Sequence, residues 1–268
     1  MCDPGLMRGN GDVQRITRSN GESFGPSGCF TRHPDPEREI EMTARPTVVV
    51  FDVNETLSDM EPLRGRFVEI GASGHLLETW FAATLRDGFA LTAAGAYADF
   101  SDVAASSLRV TLTGIDGLNR GIEDAADYVL AGFPELAVHP DVPDGMRRLH
   151  EAGIRLATLT NGSVKLSETM LSRAGVLELL EHRMSVSEAR AWKPAPASYR
   201  HAAARCGVPV EQMALVAVHP WDTDGAKRAG LITGWLNRKG QPYPQCFLPP
   251  DTTGPDLPAL AGALLALG

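Results

Sequence analysis

The chain is predicted to be an α/β protein, a parallel sheet flanked by helices with a helical segment inserted after its first strand. Three observations predict it. From residue 46 onward, short apolar runs alternate with helix-like stretches, the pattern of βαβ units. "TVVVFDV" (47–53) is apolar at successive rather than alternate positions, as in a strand buried on both faces. Residues 58–138 interrupt the alternation with helical patterns and no convincing strand.

The elements follow in chain order. After "TVVVFDV" come the helical stretches "HLLETWFAATLRDG" (75–88) and "DVAASSLRVTL" (102–112). "VPDGMRRLHEAG" (142–153) is a helix stopping on Gly153, and "IRLATLT" (154–160) is the second strand. "SVKLSETMLSRAG" (163–175) is a helix ended by Gly175, and "HRMSV" (182–186) a short third strand. A helix at 197–207, a fourth strand "MALVAVH" (213–219), a short helix at 222–230 and a fifth strand "ITGWLN" (232–237) follow. A closing helix spans 256–267. Residues 1–44 are rich in Gly, Pro, Ser, Arg and Glu without apolar periodicity and are expected to be a disordered extension, with Met42 as an alternative start. The expected division is therefore a core of 45–57 and 139–268 with a helical cap of 58–138.

The bulk properties narrow the function. A formal charge of -8 argues against nucleic acid as a partner, because phosphate binding needs a basic face. No apolar run is long enough to span a bilayer, and residues 1–20 lack the apolar core of a signal peptide. Cys2, Cys29, Cys206 and Cys246 show no metal-ligand spacing. A reduced, cytoplasmic protein is the expectation.

Why should a buried strand end on a carboxylate? An unpaired buried charge is costly, so Asp52 points to chemistry. Ligands of open parallel sheets bind beyond the carboxyl ends of the strands. Asp52, Asn54, Glu55 and Thr56 follow the first strand, and Thr160, Asn161, Gly162 and Ser163 the second. Lys193 lies near the third, and His219, Trp221, Asp222 and Asp224 after the fourth. Read structurally, any one of them is a cap or turn residue; together they describe a crevice.

Asp-x-x-x-Thr, Thr-Asn-Gly, Lys-Pro before a helix and Asp after the fourth strand resemble the haloacid dehalogenase superfamily. Within it, "WKPAPASY" and "PWDTDGAKRAGLITGWLNRKG" are most similar to the L-2-haloacid dehalogenases, with "ETW" and "YADF" at compatible spacing. The resemblance covers roughly residues 46–240. It implies a modified flavodoxin-like core, strand order 3-2-1-4-5, with Asp52 on the central strand. It also implies that Asp52 displaces halide from carbon as a nucleophile, forming an ester that water then cleaves, with no metal or other cofactor. Lys193 is expected to keep Asp52 charged. The superfamily's phosphatases carry a second Asp two residues after the nucleophile; here Asn54 cannot donate a proton, and a halide leaving group needs none.

Three departures from the subfamily matter. Phe81 follows the cap Trp80 where an Arg is usual, so anion binding must come from elsewhere: Arg64, Arg66 or backbone N–H groups at a helix start. Ala217-Val218-His219 replaces Ser-x-Asn, and Asn54-Glu55 replaces Tyr-Gly. These last two place an imidazole and a carboxylate at adjacent strand ends. The expectation is that Glu55 orients His219, and that His219 deprotonates the hydrolytic water.

The remaining roles are lesser. Thr56 would hold the Asp52 carboxylate, Thr160 and Asn161 the substrate's acid or halide, and Asp222 Lys193; Trp80 and Phe81 would form apolar walls. Tyr199 would either reach the pocket or pack, and His139 reads as an ordinary structural residue. The expected partner is a small halogenated carboxylate, with a homodimer through an apolar cap helix. Three alternatives stay open: a magnesium-dependent phosphatase, a hydrolase of another small electrophile through the same ester, and a binding protein that kept the fold and lost the chemistry.

Overall fold

In a computed structural model, residues 45–268 are described; the expected N-terminal extension lies outside them. β1 (Val48–Phe51) is the centre of the architecture. It pairs in parallel with β4 (Arg155–Thr160) on one side and β6 (Met213–Ala217) on the other. β5 (Leu180–Ser185) extends the sheet beyond β4; β7 (Ile232–Leu236) and β8 (Thr252–Gly254) extend it beyond β6. The order β5-β4-β1-β6-β7-β8 contains the expected 3-2-1-4-5 arrangement and adds a sixth strand. β8 was not legible: three residues, Thr-Thr-Gly, carry no apolar run.

Alternation along β1 builds two cores at once. Val49 and Phe51 face one side, where α5 (Val142–Glu151) and α9 (Leu257–Leu265) pack. Val48 and Val50 face the other, against α7 (Pro196–Cys206) and α8 (Pro220–Arg228). α6 (Val164–Arg173) follows β4, and Ser163 caps it by accepting from the Leu166 N–H. α7 ends on Gly207 at φ 67°, a left-handed position where a side chain is strained.

Between β1 and α5 the chain makes a third core. α1 (Glu61–Glu69), α2 (Leu76–Ala93), α3 (Phe100–Leu112) and α4 (Ile122–Leu130) enclose Phe67, Trp80, Leu108 and Val129. The segment leaves and re-enters through a two-residue antiparallel ribbon, β2 (Ser58–Asp59) with β3 (Ala137–Val138). The sequence showed no strand there because two residues are too short for a period. At Gly88 a Cβ would stand 2.2 Å from the Trp192 ring, so only glycine lets α2 lie against the "WKP" segment.

Candidate active site

Asp52 directly follows β1, and its N–H donates to Val216 O at 3.0 Å, which locks it to the end of the neighbouring strand. Its side chain is nearly sealed. Oδ1 accepts from Lys193 Nζ at 2.8 Å, and Oδ2 from Thr56 Oγ1 at 2.6 Å. Thr56 Oγ1 itself accepts from the Val218 N–H at 3.1 Å, so its own proton is left for Asp52. Residues 53–57 form a tight turn, with the Leu57 and Ser58 N–H groups both donating to Val53 O. Glu55 within it has φ 62°, an uncommon value for a residue other than glycine.

Lys193 is fully buried and serves two carboxylates, Asp52 and, at 2.6 Å, Asp222 Oδ2. Asp222 also accepts from Tyr199 OH at 2.6 Å, and Asn161 Oδ1 accepts the Lys193 backbone N–H at 3.0 Å. Gly225, one turn along α8 from Asp222, permits this approach: a Cβ there would stand 2.4 Å from Pro194 Cβ. Burial pushes the Asp52 carboxyl up, but Lys193, the His219 imidazole and the Thr56 hydrogen bond overcome it and hold the group below the usual carboxylate range. Burial works against the Lys193 ammonium too, yet Asp222 and Asp52 hold it above the ordinary value. The surplus charge of two carboxylates on one ammonium falls on Asp222, which burial and Asp52 push up against the pull of Lys193. A buried charge cluster of this kind is a weak source of stability but leaves the Asp52 carboxylate ionised.

The other side of Asp52 is looser. His219 caps α8 rather than ending the fourth strand, which stops at Ala217. Its ring stacks between Trp221, with centroids 5.1 Å apart, and Phe81 at 6.3 Å. Nε2 lies 3.3 Å from Asn54 O, 3.5 Å from Glu55 Oε2 and 4.0 Å from Asp52 Oδ2. Glu55 and Asp52 therefore face the same nitrogen. Glu55 acts on that nitrogen by charge; it does not fix the tautomer from the opposite one, as an orienting carboxylate must.

Other expected residues sit as follows. Trp80 is not a wall of the site. It lies inside the cap core, its Nε1–H donating to Ala104 O at 2.9 Å, because one helical step turns it away while Phe81 faces His219. Thr160 Oγ1 accepts the Gly162 N–H at 2.9 Å, which shapes the loop. Asp222 is fully buried and reaches the crevice only through Lys193. Arg64 and Arg66 are engaged elsewhere, Arg64 with Glu61 and Glu78, Arg66 with Glu135 and Tyr128 O. His139, read as a structural residue, and Arg238, passed over in the sequence, support the turn after Asp52. His139 Nε2 lies 3.1 Å from Glu55 O, and Arg238, doubly paired with Asp141, donates to Thr56 O at 3.0 Å. Arg238 stood within "WLNRKG", but nothing in that string shows what it reaches.

A cavity of about 540 Å³ opens between the cap and the start of α6, bordered by Val53 and Asn54 of the turn after Asp52 but not by Asp52 itself. Asn54, Asn161, Gly162, Ser163 and Ser185 are among its polar lining, Asp99 lines it too, and among the described residues Lys165 is the one cation on its wall. A second, of about 430 Å³, lies behind Glu55, Phe81 and His219. Among the described residues no three His, Cys, Asp or Glu side chains cluster as a metal-ion site. The gap between Asp52 and Asp222 holds the Lys193 ammonium, and Asp224 is turned towards Arg228 and the Leu248 N–H.

The sequence profile of the haloacid dehalogenase-like hydrolases matches residues 46–230, a span holding every member of this cluster. This chain belongs to the haloacid dehalogenase-like hydrolases. Among curated members, haloacetate dehalogenase H-2 of Moraxella sp. (strain B) is 32% identical over 166 residues, 62% of this chain and 73% of its own length. An (S)-2-haloacid dehalogenase of Pseudomonas sp. (strain YL) is 28% identical over 207 residues, 76% and 88% of the two chains. A solved L-2-haloacid dehalogenase, 29% identical, superposes with a TM-score of 0.77 over 83% of this chain and 100% of its own. No helix among the described residues is long and apolar enough to cross a membrane.

Proposed function

We propose that this hydrolase cleaves the carbon–halogen bond of small 2-haloacids through an ester on Asp52. The observation that carries the reading is the buried Asp52–Lys193–Asp222 cluster, which keeps a nearly dry carboxylate ionised at the end of the central strand. Asp52 attacks the halogen-bearing carbon, and the bond pair departs on halide, so no proton is required and Asn54 suffices two residues on. Thr56 and Lys193 orient the attacking carboxylate. In place of the absent cap Arg, Lys165 and the N–H groups at the start of α6, beside Asn161 and Thr160, hold the substrate's acid group.

In the second step water adds to the Asp52 carboxyl carbon. His219, whose imidazole faces Asp52, takes its proton; Glu55 stabilises the charge so formed. Asp222 is unsuited to this task, since both its oxygens already accept hydrogen bonds and no water reaches it. The tetrahedral adduct collapses, the departing alkoxide takes the proton held by His219 and leaves as the hydroxy acid, and the Asp52 carboxyl, which keeps one water oxygen, releases its remaining proton to solvent. We take residues 58–138 as the cap that covers this chemistry and 45–57 with 139–268 as the core.

The test is turnover of 2-chloropropionate in oxygen-labelled water. Halide release with label in the Asp52 side chain is the expected result; halide release with an unlabelled protein would refute the ester. Phosphate-ester hydrolysis abolished by a chelator, without halide release, would favour the magnesium-dependent phosphatase instead.

A further inference from the structure

The segment that carries Lys193 is held by the inserted helices as well as by the sheet edge. Trp192, the residue before it, lies in the loop before α7, yet it has no exposed surface. Its backbone N–H donates to Thr92 Oγ1 of α2 at 3.0 Å. Its indole N–H donates to Ala98 O, between α2 and α3, at 3.0 Å. Its ring stacks on Phe100 of α3, with centroids 5.7 Å apart, and presses on Gly88 of α2, where a Cβ would stand 2.2, 2.4 and 2.5 Å from three ring atoms. The next N–H, that of Lys193, donates to Asn161 Oδ1 at 3.0 Å. Two successive amides in a loop thus find their acceptors on side chains, one on α2 and one beyond β4. The Lys193 side chain leaves from that doubly held stretch and reaches Asp52 at 2.8 Å and Asp222 at 2.6 Å. Lysine is a flexible stem, so its ammonium keeps two such bonds only where the backbone beneath it is fixed.

We propose that Trp192 is a positioning residue of the reaction: α2, through Gly88 and Thr92, sets the place of Trp192, and Trp192 sets the reach of the Lys193 ammonium to Asp52. The inference rests on Asp52 as the nucleophile and gives α2 a part in ester formation besides covering it. With Phe100 against its face and Ala98 O at its nitrogen, the indole has no free direction, so a push from α2 passes to the Lys193 backbone. The same helix reaches the other side of Asp52, because Phe81, two turns before Gly88, stacks on His219. The groups facing Asp52 are Lys193 and Thr56, His219 with Glu55 beside it, and Asp222 across the ammonium. Burial pushes the Asp52 carboxyl up and Lys193 opposes it, so an ammonium drawn away raises the titration midpoint of Asp52.

The test compares Gly88→Ala, Thr92→Val, Trp192→Ala and the pair Gly88→Ala with Trp192→Ala, all in the full chain. Each is followed by the rate of the first halide released from 2-chloropropionate and by a carboxyl NMR titration of Asp52, with urea unfolding to confirm folding. Gly88→Ala is expected to slow the first halide at least about tenfold, the scale of a small misplacement transmitted to the reacting groups, and to raise the Asp52 midpoint. Thr92→Val is expected to do both more weakly. In Trp192→Ala the added methyl meets no ring, so Gly88→Ala costs nothing further there. A loss by the same factor with and without Trp192 overturns the inference, as does a folded Gly88→Ala with rate and midpoint unchanged. An intact first halide followed by a slow second one also overturns it, because the disturbance then runs through Phe81 to His219. If Gly88→Ala does not fold, Thr92→Val decides: an unchanged rate and midpoint sink the inference. If the unaltered chain releases no halide, the dehalogenase reading has failed, and the Asp52 midpoints alone decide whether Trp192 places Lys193.

Discussion

The two sides of Asp52 are built on different terms. On the Lys193 side the contacts are hydrogen bonds of 2.6–3.0 Å between buried groups, and Lys193 and Asp222 have no exposed surface. On the His219 side the distances run from 3.3 to 4.0 Å, the ring is held by stacking, and Glu55 is partly open. The closed side maintains a charge, which needs fixed dipoles and no water. On the proposed mechanism the open side handles water, which needs room for a molecule to enter and a base beside it. One carboxylate thus faces two environments, each suited to one of the two steps.

The sharpest way to break the comparison is to remove what the two sides share. Asp52→Asn is expected to lower halide release by at least about 10⁴-fold, measured with a halide electrode, because the nucleophile is gone. Next comes the closed side. Lys193→Met leaves two buried carboxylates facing each other. It should cost about 3–5 kcal/mol in urea unfolding and about 10²–10³-fold in the rate of the first halide release.

The same variant sharpens the pH behaviour. Because the folded-state pKa of Asp52 is depressed, its contribution is complete above the ordinary carboxylate value and is lost as pH falls through the folded one. The acid limb of kcat/KM for the unaltered chain is therefore expected below pH about 4. In Lys193→Met, burial is opposed only by His219 and the Thr56 hydrogen bond, and the limb moves upward.

The open side should fail differently. His219→Ala is expected to release one halide per chain and then stall. Mass spectrometry should find the ester on Asp52 and turnover about 10²-fold slower. His219→Gln, which keeps an N–H but no base, should stall as well; full turnover in that variant would make the ring a donor instead. Lys165→Ala is the smallest change. A several-fold rise in KM with little change in kcat, fading at high salt, is expected for a charge at the cavity wall.

Much of the closed side was legible in the sequence. Asp52, Thr56, Lys193 and Asp222 each lie just beyond a strand or before a helix, and a parallel sheet gathers such positions at one edge. Tyr199 remained ambiguous between pocket and packing, because its bond to Asp222 crosses from α7 to α8. Trp80 and Phe81 were read together and diverge, since adjacent helix positions point about 100° apart. His219 and Glu55 were expected as partners, yet the choice of nitrogen could not be read from residue types. His139 and Arg238 were opaque for a related reason: they act on backbone carbonyls, which carry no letter in a sequence.

Taken by itself, the order of residues determined the alternation of strands and helices, the place of the inserted cap and the identity of the charged groups at the strand ends. Those are local properties, set by periodicity, capping and the covalent spacing of the chain. Tertiary structure alone decided which oxygen of Asp52 meets which donor, that Asp52 and Glu55 face one nitrogen of His219, and how large a cavity borders the turn after Asp52. Distances between groups far apart in the chain depend on how whole layers pack, and a tenth of a nanometre there separates a hydrogen bond from an electrostatic contact.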